Sequence, residues 1–153
     1  MGTSAVDAGQ MLPFLALTVW CSWLSMIDIR ERRLPNVLTV PGATAIIGYG
    51  TVVGAGRTAL IGALLLAGPY LVLHVIAPSS LGAGDVKLAV GLGAAAALGG
   101  PESWVMAALL APLGTAVVGA VVLVTRRRQA ANTTLPHGAF MCAATLIALC
   151  AST

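Results

Sequence analysis

The sequence predicts an all-α membrane protein, a polytopic bundle of six transmembrane helices with both termini outside the cytoplasm. Three observations predict it. Hydrophobic residues fill 58% of the 153 positions and charged residues only 8%, where a soluble domain carries about a quarter; such a chain cannot build a solvated surface. The apolar residues fall into six runs divided by polar or turn-forming stretches. The basic residues crowd into alternate connections between those runs. Eighteen glycines and many alanines let helices approach closely inside a bundle. Residues 1–153 read as one membrane-embedded domain, with no internal repeat and no room for a separate soluble domain.

The first run covers residues 11–27 and ends at the charged stretch DIRERRLPN, residues 28–36. The second covers 37–54, interrupted by Pro41-Gly42 and by Gly48 and Gly50; a short turn holding Arg57 follows. The third covers 59–77 and leads into PSSLGAGDVK, residues 78–87. The fourth, 86–100, is short and rich in glycine and alanine; Pro101-Glu102 marks the next turn. The fifth covers 103–125, RRRQAANTT follows at 126–134, and the sixth covers 135–151. A helix needs about 20 residues to cross about 30 Å of hydrocarbon. The fourth run reaches only about 22 Å, so its N-terminal loop is expected within the headgroup region or deeper. Irregular backbone at that depth survives only where protein buries it or where it lines a wet cavity.

Six spans place Arg30, Arg32, Arg33, Lys87, Arg126, Arg127 and Arg128 on one side and Arg57 alone on the other. This asymmetry marks the first side as cytoplasmic. The net charge of +3 therefore reads as orientation against a bilayer with anionic headgroups, and no nucleic-acid partner is expected. Nothing ahead of the first run resembles a cleavable signal peptide, since only Asp7 is charged there. Cys21, Cys142 and Cys150 lie in apolar runs outside any CxxC pair and read as buried small hydrophobes. Neither a metal site nor a cofactor is expected.

The chain holds five carboxylates. Asp7 and Glu102 fall in an outer tail and an outer turn, and Glu31 is flanked by arginines. Asp28 closes the first run and Asp85 opens the fourth. Two spans separate them, so the chain returns both to one face. Asp85 can be a helix cap, since a carboxylate ahead of an apolar run accepts backbone N–H groups. Asp28 can be a simple boundary charge. The alternative is a pair: two neighbouring carboxylates cannot easily both ionise, share a proton, and act together as base and acid on water. Gly82 and Gly84 would then supply positive φ or close backbone approach beside Asp85.

At these residues the chain resembles the prepilin peptidases. DIRERRLPN is similar to their first signature, an aspartate followed after six residues by Pro-Asn, here Pro35 and Asn36. GAGDVKL is similar to their second, Gly-x-Gly-Asp before a hydrophobic residue and Lys87. LPHGAF, residues 135–140, resembles a third element through Pro136, Gly138 and Phe140, with His137 at a usually apolar position. The resemblance implies a GxGD-type membrane aspartyl protease that cuts the short basic leader from type IV prepilins or pseudopilins at the cytoplasmic face. It implies Asp28 and Asp85 as the catalytic pair. The larger relatives carry a CxxC insert and methylate the new N-terminus; this chain has no such insert and looks like the short Tad or Flp form, for which neither methylation nor S-adenosylmethionine is expected.

Other polar residues admit two readings each. Lys87 could act on Asp85 or anchor to lipid phosphate. Pro35 suits the first helical turn mechanically. Arg126–Arg128 read as a lipid-facing stop that would repel a basic leader, which leaves Glu31 as the acidic contact for it. His137 reads as solvated or as a pocket residue, and His74 as an intramembrane group near the cytoplasmic end. Trp20, Trp23 and Trp104 suit interfacial or packing roles. Two other classes of function stay open: a small transporter with Asp85 as an ion site, and a non-catalytic subunit of a secretion system. The oligomeric state is not legible.

Overall fold

Apolar runs that lack the alternation of strands have one way to satisfy their backbone in lipid, the helix. The computed structural model, which describes residues 4–78, 81–125 and 136–152 with side chains from residue 11 onward, folds as six helices, with no strand among the described residues. They are α1 (Ser4–Glu31), α2 (Asn36–Val52), α3 (Gly56–Ile76), α4 (Ala83–Leu98), α5 (Pro101–Thr125) and α6 (His137–Ala151). The arginines at 126–128 lie outside the described residues.

The junctions follow from local chemistry. Arg32, in the left-handed region at φ 51°, ends α1, and its N–H donates to the Asp28 carbonyl at 2.9 Å. Pro35 caps α2 in extended conformation, and its carbonyl accepts from the Leu38 and Thr39 N–H groups. Gly54 and Gly100 supply the positive φ of the α2–α3 and α4–α5 turns. Pro101 starts α5, where a missing N–H does no harm.

α4 is the central element. Leu88, Ala89, Leu92, Ala94 and Ala96 have no exposed surface, and the helix packs against α2, α3, α5 and α6. α1 lies against α6 and touches α2. Small residues permit this density: a Cβ on Gly93 would come within 2.8 Å of Leu66 Cβ on α3. Two indoles lock neighbours through hydrogen bonds in the apolar interior. Trp20 Nε1 donates to the Leu38 carbonyl at 3.0 Å, and Trp104 Nε1 to the Gly62 carbonyl at 3.1 Å. Trp23, by contrast, is exposed.

Among the described residues, three helices are long and apolar enough to cross a membrane: Met11–Glu31 within α1, α3, and α5, of 21, 21 and 25 residues. Their outer faces are apolar, with Leu12, Leu64 and Val117 all largely exposed, which suits contact with lipid and not with water. α2, α4 and α6 have 17, 16 and 15 residues, or about 26, 24 and 23 Å of rise.

Three expectations need correction. Asp28 does not end the first helix; α1 runs on to Glu31, because nothing between Asp28 and Arg32 breaks a helix. α4 begins at Ala83, which puts Asp85 inside its first turn and not ahead of it. Cys150 is exposed, whereas Cys21 and Cys142 are buried.

Candidate active site

Asp28 sits one turn from the end of α1 and is 6% exposed. Its Oδ2 accepts the N–H of Ala139 at 3.0 Å. Ala139 is the third residue of α6, so this N–H is one of the donors that a helix start leaves without an internal partner. The carboxylate thus meets the positive end of α6. It packs so tightly there that a Cβ on Gly138 would lie 3.0 Å from Oδ2 and 3.0 Å from a Leu34 methyl. The LPHGAF element therefore reaches Asp28, with Pro136 as the N-cap of α6 and Gly138 buried beneath the carboxylate.

Asp85 is the third residue of α4. Its Oδ2 accepts the N–H of Gly82, the N-cap, at 3.3 Å, while its own N–H donates to the Gly82 carbonyl at 3.1 Å. The capping role is thus real, and one carboxyl oxygen performs it. Asp85 is half-buried and lies outside the three membrane-spanning stretches of α1, α3 and α5. Its pKa is pushed up to about 6, first by burial and then by the negative charge of Asp28, against a smaller opposing pull from the Gly82 N–H. Asp85 stands in the first turn of α4 and Asp28, from the last turn of α1, meets the first turn of α6, and these two positive ends let two acids share one region.

Leu34 lies between the two. A Cβ on Gly84 would fall 2.8 Å from Leu34 Cβ and 3.4 Å from its carbonyl oxygen. The same side chain touches the Gly138 position next to Asp28. Gly84 is therefore required for close approach of the α1–α2 connection, and neither Gly82 nor Gly84 has positive φ. That corrects the conformational part of the expectation for both glycines. At Gly82, with φ −73°, a Cβ would make only ordinary contact with Asp85 Oδ2 at 3.6 Å.

The remaining sequence candidates divide. Lys87 Nζ donates to Asn36 Oδ1 at 2.7 Å, which ties α4 to the first residue of α2. This contact joins the last polar residues of the two signatures. Pro35 shapes the start of α2 from the N-cap, one place before the helix. Glu31 is exposed at the end of α1, and no described contact joins it to the carboxyl pair.

Sequence reasoning passed over several residues. His137 is half-buried, not solvated; Nδ1 is 2.7 Å from Thr115 Oγ1 and Nε2 is 3.0 Å from the Tyr70 hydroxyl. His74 Nδ1 lies 2.7 Å from the Leu81 carbonyl and pins the chain just ahead of Gly82. Neither Tyr70 nor Thr115 has a sequence signal beyond being polar in an apolar run. His137 does, as a histidine in LPHGAF where an apolar residue is usual.

Neither the curated proteins nor the solved structures compared with the chain yield a match. The sequence profile of the type IV leader peptidase family matches residues 15–124. That span is well over half of the chain and includes both Asp28 and Asp85, and peptidase activity is the family's general property. With the profile matched over that length, the chain belongs to the type IV leader peptidase family.

Proposed function

We propose that the protein is a membrane aspartic endopeptidase. It removes the short basic leader from Flp- or Tad-type prepilins, or pseudopilins, at the cytoplasmic face of the bacterial inner membrane. The single observation that supports this most is the setting of the two carboxyls. Asp28 accepts an N–H at the start of α6, while burial and the charge of Asp28 favour the protonated form of Asp85. The two carboxyls thus stand in different environments, the arrangement that acid–base catalysis uses.

In this mechanism Asp28 enters ionised and Asp85 protonated. Asp28 takes a proton from water as the water oxygen bonds to the scissile carbonyl carbon. Asp85 gives its proton to the carbonyl oxygen, so a neutral tetrahedral diol forms. Asp28 then passes its proton to the amide nitrogen, the C–N bond breaks, and Asp85 recovers a proton as the carboxyl product re-forms its C=O. Gly82 leaves the backbone beside Asp85 free of a side chain for an extended leader segment, while the space at Gly84 is taken by Leu34. Exposed Glu31 is the acidic contact offered to the basic leader. The transporter alternative loses ground because both acids lie at helix starts and ends of one region, and the family match is to peptidases.

The test is co-expression with an Flp-type precursor. The mature pilin should appear only with the protein present, and mass spectrometry should place the new N-terminus at the end of the basic leader. An uncleaved precursor, despite normal insertion of both proteins, would overturn the assignment.

A further inference from the structure

Tyr70, His137 and Thr115 come from three helices, α3, α6 and α5, and all three are half-buried. Thr115 Oγ1 donates to the Ala111 carbonyl one turn back at 3.0 Å. Its single proton is committed there, so towards His137 it acts as an acceptor. Nδ1 of His137 then carries the ring proton, and the Nε2 lone pair accepts the Tyr70 hydroxyl. The result is a directed chain, Tyr70 O–H to His137 to Thr115 to the Ala111 carbonyl. The Tyr70 and His137 rings also contact each other, with centroids 5.5 Å apart.

This chain adjoins the carboxyl pair through its middle member. His137 is the first residue of α6, two places before the Ala139 N–H that Asp28 accepts. The charge of Asp28 acts on His137, and that of Asp85 acts on Tyr70. The titratable groups that neighbouring elements bring to this region are Asp28 of α1, Tyr70 and His74 of α3, and Asp85 of α4. Lys87 of α4 is engaged by Asn36 of α2, and His74 by Leu81.

We propose that Tyr70, His137 and Thr115 are a positioning unit that holds the start of α6, and with it the Ala139 N–H, on Asp28. The unit rests on the carboxyl-pair reading above and deepens it. A helix start clamped on two sides keeps its N–H donor fixed, and the ionised form of Asp28 keeps that bond. Without the clamp the donor drifts, and a carboxylate that loses an N–H donor takes up its proton more readily.

The test uses the full chain in detergent with a synthetic prepilin-leader peptide, and compares Tyr70→Phe, Thr115→Val and Thr115→Ser. The first two remove one hydrogen-bonding group each at nearly constant volume, and thermal melting of each variant checks that it is folded. Each should lower kcat about five- to tenfold with KM unchanged, as one lost hydrogen bond does, and move the acidic limb of the pH–rate profile upward by about half a pH unit. Thr115→Ser, which keeps the acceptor, should restore the profile. Lost activity with an unmoved acidic limb, or Thr115→Ser behaving like Thr115→Val, would overturn the proposal. Asp28→Asn, run alongside, separates the two claims. If it retains cleavage, the carboxyl-pair reading fails; if it is inactive while the other variants keep the wild-type profile, only the positioning unit fails.

Discussion

At the scale of single residues, the two carboxyls differ by environment more than by type. Asp28 is almost fully enclosed and meets a backbone donor from α6. Asp85 is half-buried, meets the Gly82 N–H, and feels the charge of Asp28. A carboxyl whose pKa is raised to about 6 holds its proton below that pH and loses it as pH rises through it. If Asp85 is the acid, kcat/KM for leader cleavage should fall above about pH 6. The pair titrates as a unit, so the limb belongs to both acids. A profile that rises through pH 6 to a plateau would reverse the proposed roles. The residues themselves were readable from the sequence, because scarce carboxylates beside Pro-Asn and Gly-x-Gly stand out in an apolar chain. Leu34, Tyr70 and Thr115 were not, and His137 stood out without showing its partners. Their importance lies in contacts between helices, and no spacing rule along the chain reports those.

At the scale of elements, the site is made of helix starts and one short connection. α4 and α6 offer their N-termini, α1 supplies Asp28, and the α1–α2 connection lays Leu34 across both. Close approach at Gly84 is what allows this. Gly84→Ala should force Leu34 away from α4, lower stability by about 1–3 kcal/mol, as overpacking does, and reduce cleavage. Gly68, where an added Cβ meets nothing, is the control, and Gly68→Ala should be silent in thermal melting and in cleavage. Equal effects at both positions would remove the packing role of Gly84. Helix existence was legible from the apolar runs, since each run became one helix. Helix ends were not. α1 and α4 extend into charged and glycine-bearing residues that a hydropathy reading leaves outside, because capping and tertiary contacts stabilise those turns. The Lys87–Asn36 bond also shows why the two signatures carry their last polar residues: they hold α2 and α4 together beside the acids.

At the scale of the whole molecule, a central α4 packed among apolar helices, with α3 and α5 much longer than itself, solves a membrane problem. The helix that carries Asp85 is too short to span comfortably, and its neighbours bury it along its length. The buried position of Leu81 and the His74 contact show how protein shelters the irregular backbone ahead of α4, as the short run required. The basic residues at 30, 32, 33 and 87 belong to the end of the bundle that holds the acids, and Arg57 to the first turn of α3, not to a turn ahead of it. The charge pattern predicts that this acidic end faces the cytoplasm. Cysteine labelling in intact cells should find a cysteine introduced at Arg57 accessible from outside and one introduced at Arg33 protected. The reverse pattern would place the carboxyls on the wrong face for a cytoplasmic leader.

The central claim is that Asp28 and Asp85 together perform the hydrolysis. The most direct measurement is processing of a co-expressed Flp-type prepilin by Asp28→Asn and Asp85→Asn, each confirmed to insert in the membrane at the wild-type level. Each amide keeps the shape of the carboxyl and removes its proton chemistry, which is worth about 100- to 10,000-fold in rate, so both variants should leave the precursor uncut. Mature pilin produced by either variant at a rate near wild type would contradict the account.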